Sequence, residues 1–132
     1  MNHLELSQRL ATVGEFVPAK ARLADIGSDH AYLPVALMLK GKIEFAVAGE
    51  VVKGPFESAQ KQVRKDGLEE RIVVRLANGL AAIEPSDEIN AITIAGMGGA
   101  LIRDILEAGK TRLNQKERLI LQPNIGERTL RV

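Results

Sequence analysis

The chain has 132 residues, of which 45% are hydrophobic, 27% charged and 3% aromatic, with 18 Lys and Arg against 17 Asp and Glu and a formal net charge of +1. That length holds one domain with a real core and is too short for two of ordinary size. The charge balance provides no global field for nucleic acid, the scarcity of rings disfavours a base-stacking platform, and the core must come mainly from Ile, Val, Leu and Ala. Cysteine is absent, which excludes disulfides and thiolate metal sites, and His3 and His30 are too few to expect a metal centre. No stretch approaches the about 18 apolar residues of a membrane span, and the N-terminus lacks the basic and apolar regions of a signal peptide. A cytoplasmic protein without membrane or metal is expected.

Ser7 is placed to cap a first amphipathic helix carrying Leu10, Ala11 and Val13, which stops before Pro18 and is expected to flank the functional site. From Arg22 onward short β-rich runs alternate with helical stretches, the pattern of parallel strands joined by crossover helices. Strands are predicted over residues 22–25, 44–48, 72–76, 91–94 and 119–121, each nearly continuous in apolar residues, as for parallel strands covered on both faces. A helix over 32–39 presents Leu33, Ala36, Leu37 and Lys40 and ends at Gly41, which suits a left-handed C-cap. A second, over 55–66, opens with Pro55, shows Phe56, Ala59 and Val63 on one face, and stops before Gly67. A third, over 99–108, carries Leu101, Ile102, Ile105 and Leu106 before Gly109. The fold class is therefore α/β, a Rossmann-like, mostly parallel open sheet, with no internal repeat, low-complexity tract or linker. The basic residues Lys110, Arg112, Lys116 and Arg118 read as a solvated helix end and loop, with phosphate contact as the alternative.

Open α/β sheets bind ligands beyond the carboxyl ends of their strands, near the point where strand order reverses. After the first strand the spacing Asp25-x-Gly27-x-Asp29-x-Ala31 resembles the acidic, small-residue turn of S-adenosylmethionine-dependent methyltransferases, which holds a cationic amino acid–nucleoside rather than a pyrophosphate. Asp25 and the turn at 27–31 are assigned to its methionine portion; the structural alternative is a plain strand–helix turn capped by Ser28 or Asp29. Gly49-Glu50-Val51-Val52 follows the second strand about 20 residues beyond the glycine turn, where a carboxylate accepts two ribose hydroxyls at once. Asn78, after the third strand, offers a carbonyl acceptor to an adenine amino group, against a plain Asn-Gly turn. Ala95-Gly96-Met97-Gly98-Gly99 follows the fourth strand. Its glycines strip away side chains so that two ligands can meet, and Met97 either lines their channel or packs in the core. A dinucleotide site is disfavoured, because Gly27 stands alone before Ala31 and Asp29 would repel a pyrophosphate.

Leu6-Ser7-Gln8-Arg9-Leu10, the stretch 24–34, Gly49-Glu50-Val51 with Gly54-Pro55, Ala95-Gly96-Met97-Gly98-Gly99 and Leu121-Gln122-Pro123-Asn124 resemble, in order and over most of the chain, the motifs of bacterial tRNA (adenine-22-N1)-methyltransferases. The resemblance implies a class I, S-adenosylmethionine-dependent enzyme that methylates N1 of an adenine in tRNA. It implies cofactor contacts from Asp25, Gly27 and Ser28, from Glu50 and Val51, from Asn78 and Gly79, and from Ala95 and Gly96. Asp29, His30 and Met97 are the implied catalytic residues; Tyr32, Gly98, Gln122 and Asn124 are the implied substrate contacts. Asp29 is the carboxylate assigned to the positive charge that N1-methylation places on the ring, with a structural or cofactor-binding role as its alternative. The target adenine would be extruded from the tRNA into the pocket. The family usually carries Asp where Asn78 stands, so the acceptor is kept and the charge lost. The resemblance also implies further strands and a helical tRNA-binding domain, while Glu127-Arg128-Thr129-Leu130-Arg131-Val132 reads as an incipient helix; residues 1–132 are thus expected to be the N-terminal part of the methyltransferase domain. The alternatives are a non-catalytic cofactor-binding remnant and a class I methyltransferase acting on another substrate.

Overall fold

The computed structural model describes residues 6–124, so the helix expected at 127–132 lies outside the described residues. Helix α1 (Gln8–Glu15) begins where the Ser7 hydroxyl accepts the Leu10 amide at 3.2 Å. It ends under the ammonium of Lys42, which donates to the carbonyls of Gly14 and Glu15 at 2.7 and 3.2 Å, a cation at the negative end of a helix. Strand β1 (Ala21–Ile26) follows, then α2 (Tyr32–Leu39), β2 (Ile43–Glu50), α3 (Lys53–Lys65), β3 (Ile72–Leu76), β4 (Ala91–Met97), α4 (Gly99–Gly109) and β5 (Arg118–Pro123). Short 3₁₀ turns occupy Gly79–Ala82, Pro85–Asp87 and Lys110–Arg112.

The five strands form one parallel sheet in the order β3-β2-β1-β4-β5. The chain builds outward from β1 to β3, then crosses back to lay β4 against the other side of β1, so strand order reverses between β1 and β4. This is the predicted Rossmann-like architecture. Alternating residues feed two cores: Leu23, Ala46, Ala48 and Ala91 pack with α1, α2 and α3, while Ala24, Val47, Ile92 and Ile94 pack with α4 and the 3₁₀ segments.

Several local expectations change. Helix α2 has no polar face: Leu33 through Met38 are all buried between α1 and the sheet, so Pro34, Val35 and Met38 join the expected Leu33, Ala36 and Leu37 in the core. Its C-terminus closes as foreseen, with Gly41 at φ +72° and Lys42 N and Gly41 N donating to the carbonyls of Leu37 and Met38. Helix α3 starts at Lys53, which puts Pro55 inside the first turn, where its missing N–H has no helical partner to lose. Leu101 of α4 faces outward, 51% exposed, rather than joining Ile102 in the core. Both-face burial holds for the central strands only; β3 is half-buried, and on β5 Leu119 and Leu121 are each 41% exposed. Of the basic residues at 110–118, Arg112 donates to the Ile83 carbonyl at 2.8 Å and Lys110 lies 3.6 Å from Glu107, so both are engaged within the fold.

The crossover from β3 to β4 is anchored by Asp87, which is 5% exposed. Arg75 of β3 grips it with two nearly parallel hydrogen bonds of 2.6 and 2.9 Å and also donates to the Ala82 carbonyl, while the Glu84 amide donates to the same carboxylate. Burial alone would raise the Asp87 pKa, but the Arg75 and Glu84 donors outweigh it and hold the carboxyl below its usual range. Arg75→Met would leave a buried carboxylate without its cation. Chemical denaturation is expected to show a loss of about 3 kcal/mol, and an unchanged unfolding midpoint would show that the crossover does not rely on this pair.

Candidate functional site

Asp25 sits next to Thr93 across the β1–β4 pairing, both on the face toward α1 and α2. Its carboxylate is 4% exposed and fully engaged: Thr93 Oγ1 donates to Oδ1 at 2.7 Å and Ser28 Oγ donates to Oδ2 at 2.8 Å. Burial pushes its pKa from the ordinary 3.8 up to about 7, against the lowering effect of the two hydroxyls and with a further push from nearby Glu50 and Asp29. Thr93 carries no motif, yet it stands out as the one polar residue in the apolar run Ala91-Ile92-Thr93-Ile94.

Beyond Gly27, at φ +68°, the turn takes an unexpected path. Asp29, His30 and Ala31 adopt φ of +55°, +67° and +61° in succession, a left-handed run of three non-glycine residues. Such residues cost about 1–3 kcal/mol each unless the surroundings hold them. What holds them is Glu50, the last residue of β2 rather than the first after it: its carboxylate accepts the backbone amides of His30, at 3.3 Å, and Asp29. Glu50 is 6% exposed, and this burial raises its pKa against those amide bonds. Neither Ser28 nor Asp29 caps α2, whose N-cap is Ala31 with no side-chain bond, so the plain capped turn is not what the chain builds. His30 Nδ1 pairs with the hydroxyl of Ser58 on α3, a partner that no sequence signal marks, and its Nε2 lies 3.4 Å from Asp29 Oδ1. The His30 and Tyr32 ring centroids are 5.4 Å apart, and the Asp29 side chain is 78% exposed.

The segment at 95–99 also differs from the expected loop. Residues 95–97 continue β4, with a register shift against β5 at Gly96, which takes φ +76°. This is a glycine bulge. The Gly96 amide donates to Gln122 Oε1 at 3.1 Å and the Asn124 amide donates to the Met97 carbonyl at 2.6 Å, so Gln122 and Asn124 brace the bulge from β5. Gly98 is the N-cap position of α4.

The bulge brings Met97 over Gly27: a Cβ at Gly27 would stand 2.2 Å from Met97 Cε. Two hollows open on either side of this contact. One, about 220 Å³, is lined by Arg9, Leu10, Asp25, Gly27, Ser28, Asp29, Ala95, Gly96 and Met97. The other, about 120 Å³, is lined by Ile26, Gly27, Gly49, Val51, Ala77, Asn78, Gly79, Met97, Leu101 and Ile105. Each is smaller than the roughly 300 Å³ at the lower end of ligand pockets, and only together do they reach that range. Gly27 and Met97 belong to both. The second is an apolar slot with one polar lining side chain, Asn78, whose amide has no hydrogen-bond partner among the described residues. Glu50, His30 and Tyr32 line neither hollow. Among the described residues no group of three or more His, Asp or Glu side chains is placed to hold a metal, and no helix is long and apolar enough to cross a membrane.

Residues 23–132 match the family model described as tRNA (adenine(22)-N(1))-methyltransferase. A Bacillus subtilis protein of that name is 60% identical over 125 residues, covering 95% of this chain and 52% of the relative. The Streptococcus pneumoniae protein Sp1610, solved in complex with S-adenosyl-L-methionine, superposes with a TM-score of 0.89 at 57% identity, over 96% of this chain and 59% of that one. M. capricolum TrmK, solved with S-adenosyl-homocysteine, gives a TM-score of 0.79 at 35% identity, over 96% and 55%. The chain thus spans about half the length of the relatives it matches.

The raised Asp25 pKa carries a consequence for stability. Because the folded value lies above the unfolded 3.8, the protonated carboxyl favours the fold at low pH, and that contribution is lost as pH rises through about 7. In the ligand-free protein, Asp25→Asn is expected to raise the thermal midpoint at pH 8 by more than at pH 5; an equal effect at both would show that Asp25 is not protonated on folding.

Proposed function

The chain belongs to the tRNA (adenine(22)-N(1))-methyltransferase family, and from that membership we propose that residues 1–132 form the N-terminal, cofactor-binding part of a methyltransferase domain that acts on N1 of adenine 22 in tRNA with S-adenosylmethionine. The observation that carries this reading is the occupied left-handed turn. A pyrophosphate site leaves its turn amides free for phosphate, whereas here the Asp29 and His30 amides are already taken by Glu50 and the adjoining hollow is lined by two carboxylates. Such a site suits a cation.

The residues present fit the cofactor. Asp25 lies at one end, where the ammonium of a methionine portion would be held, and Gly27, Gly96 and Ala95 leave room at the centre. At the other end Asn78 accepts from an adenine amino group between the apolar walls of Val51, Leu101 and Ile105, beside Gly79. The Glu50 carboxylate has acceptor sites beyond the two it gives the turn amides, and these suit ribose hydroxyls. S-adenosylmethionine, when bound, supplies an activated methyl group. Adenine N1 has its own lone pair, so the protein needs no strong base; it must align the two partners and exclude water. Ser28 steadies Asp25 through its 2.8 Å bond, and the bulge at Gly96 with Gly98 gives a flat approach for the target base beside Met97. Asp29, exposed at the rim and 3.4 Å from His30 Nε2, faces the charge that develops on the methylated ring, while His30 and Tyr32 fix its position. Gln122 shapes the substrate side by holding the bulge with its side chain, whereas Asn124 holds it through its backbone N–H and leaves its exposed side chain to the substrate. The reading places the protein in the cytoplasm with its tRNA substrate.

Titration calorimetry with S-adenosylmethionine and a tRNA methylation assay test the reading, on this chain and on one extended to the length of its relatives. Binding with methylation at one adenine N1 is expected; binding without turnover in both chains would identify a cofactor-binding unit instead, and no binding in either would refute the proposal. Glu50→Ala is expected to weaken cofactor binding at least about tenfold. Asp29→Ala is expected to lower kcat about 100-fold with little change in cofactor affinity; unchanged turnover would remove Asp29 from the chemistry.

A further inference from the structure

The His30 ring is held at both of its nitrogens. Nε2 lies 3.4 Å from Asp29 Oδ1, and Nδ1 pairs with the Ser58 hydroxyl. Ser58 stands on α3 next to Ala59, which with Val63 is buried in the core and seats that helix against the sheet. Packing of α3 therefore brings the hydroxyl to the turn, while the Glu50 carboxylate holds the His30 amide at 3.3 Å. A hydroxyl within a helix commonly returns to the carbonyl four residues back, as Thr12 does to Gln8 at 2.9 Å. Among the described residues Ser58 makes no such bond, and its one partner is His30 Nδ1.

A neutral imidazole carries its proton on one nitrogen, and the bond made by the other decides which. With the proton on Nδ1, the Nε2 lone pair would face the Asp29 carboxylate, acceptor against acceptor. With the proton on Nε2, Nδ1 accepts from Ser58 and the Nε2–H is directed at Asp29, so every group finds its complement. A doubly protonated ring would also suit Asp29, but its positive charge would offset the negative charge that this carboxylate holds for a methylated adenine. The Asp29 side chain is 78% exposed, and a carboxylate so exposed keeps one direction only if a donor gives it one. We infer that Ser58 is a positioning residue: its hydroxyl donates to His30 Nδ1 and keeps the proton on Nε2, and the neutral Nε2–H aims the Asp29 carboxylate without cancelling its charge. The inference rests on the role proposed for Asp29.

His3 and His30 are the two histidines of the chain, so a His3→Gln background leaves a single imidazole in a nitrogen NMR spectrum of this protein. At about pH 8.5, well above the ordinary histidine pKa of about 6.5, the proton is expected on Nε2, with the Nδ1 resonance displaced from that of a free imidazole nitrogen by the serine bond. Ser58→Ala is expected to return Nδ1 toward the free value, and Ser58→Thr to keep it displaced. A proton on Nδ1, or an Nδ1 resonance that Ser58→Ala leaves unmoved, overturns the assignment. In the chain extended to the length of its relatives, Ser58→Ala is expected to lower kcat about tenfold at unchanged cofactor affinity and KM for tRNA. It is expected to cause no further loss when Asp29 is already Ala. An equal loss in the Asp29→Ala background, or a rise in KM with kcat unchanged, overturns the positioning role, because Ser58 would then support the fold or touch a substrate. Absence of methylation by the unsubstituted extended chain would refute the functional reading instead, and the NMR result would still decide whether Ser58 sets the His30 tautomer.

Discussion

The site depends on one buried carboxylate. Asp25 joins β1 to β4 through Thr93 and joins β1 to the following turn through Ser28, so the two strands that flank the reversal of order and the loop above them share a single hydrogen-bonded centre. A carboxylate so enclosed would ordinarily be replaced by an apolar residue at no loss of stability. Its retention beneath a hollow is better explained by a cationic ligand. A cation bound nearby favours the ionised form and lowers the pKa from about 7, so binding near neutral pH would release a proton and offset the cost of burying the ionised carboxylate.

Glu50 solves a second problem with the same kind of group. Three successive non-glycine residues in left-handed conformation form an unfavourable turn, but they aim successive amides the same way, and the Glu50 carboxylate collects two of them. The consequence is electrostatic as well as conformational. With those amides taken, the turn no longer attracts a phosphate, and the neighbourhood is acidic through Asp25, Asp29 and Glu50 together. Asp29 is thereby turned outward at the rim while His30 is turned back to Ser58, so adjacent residues of one motif face opposite duties.

The sheet, its parallel sense and the places of its helices were legible because alternation of apolar runs with glycine-bounded helices is a local property of the chain. So was α2 from Tyr32 to Leu39, with its Gly41 cap. The strand ends were not. Glu50 and residues 95–97 read as loop because glycine and charge are poor strand formers, yet pairing with β3 and β5 overrides that preference. The left-handed path of Asp29-His30-Ala31 was hidden for a related reason: it depends on Glu50, far away in sequence, supplying an acceptor. Motif reading marked Asp25, Gly27, Asn78 and Gly96, which line the hollows, but gave no role to Thr93 or Ser58, whose bonds to Asp25 and His30 form only when β4 and α3 are folded against β1 and the turn after it.

The contact between Met97 and Gly27 sets the last constraint. The glycine bulge at Gly96 shifts β4 by one residue against β5, and this shift lays the Met97 methyl where any side chain at position 27 would have to be. Neither hollow alone has the volume of an ordinary ligand pocket, and the polar groups suited to the two ends of an amino acid–nucleoside lie on opposite sides of that contact. A ligand reaching from Asn78 to Asp25 must therefore cross above Gly27. The backbone on either side is pinned, by the Gly27 and Ser28 amides donating to the Gly49 carbonyl and by Gln122 and Asn124 at the bulge. The side chain at this contact is an unbranched, flexible thioether, Met97. Gly27 is thus needed twice, for a positive φ that carries the chain out of β1 and for the space that the Met97 methyl occupies.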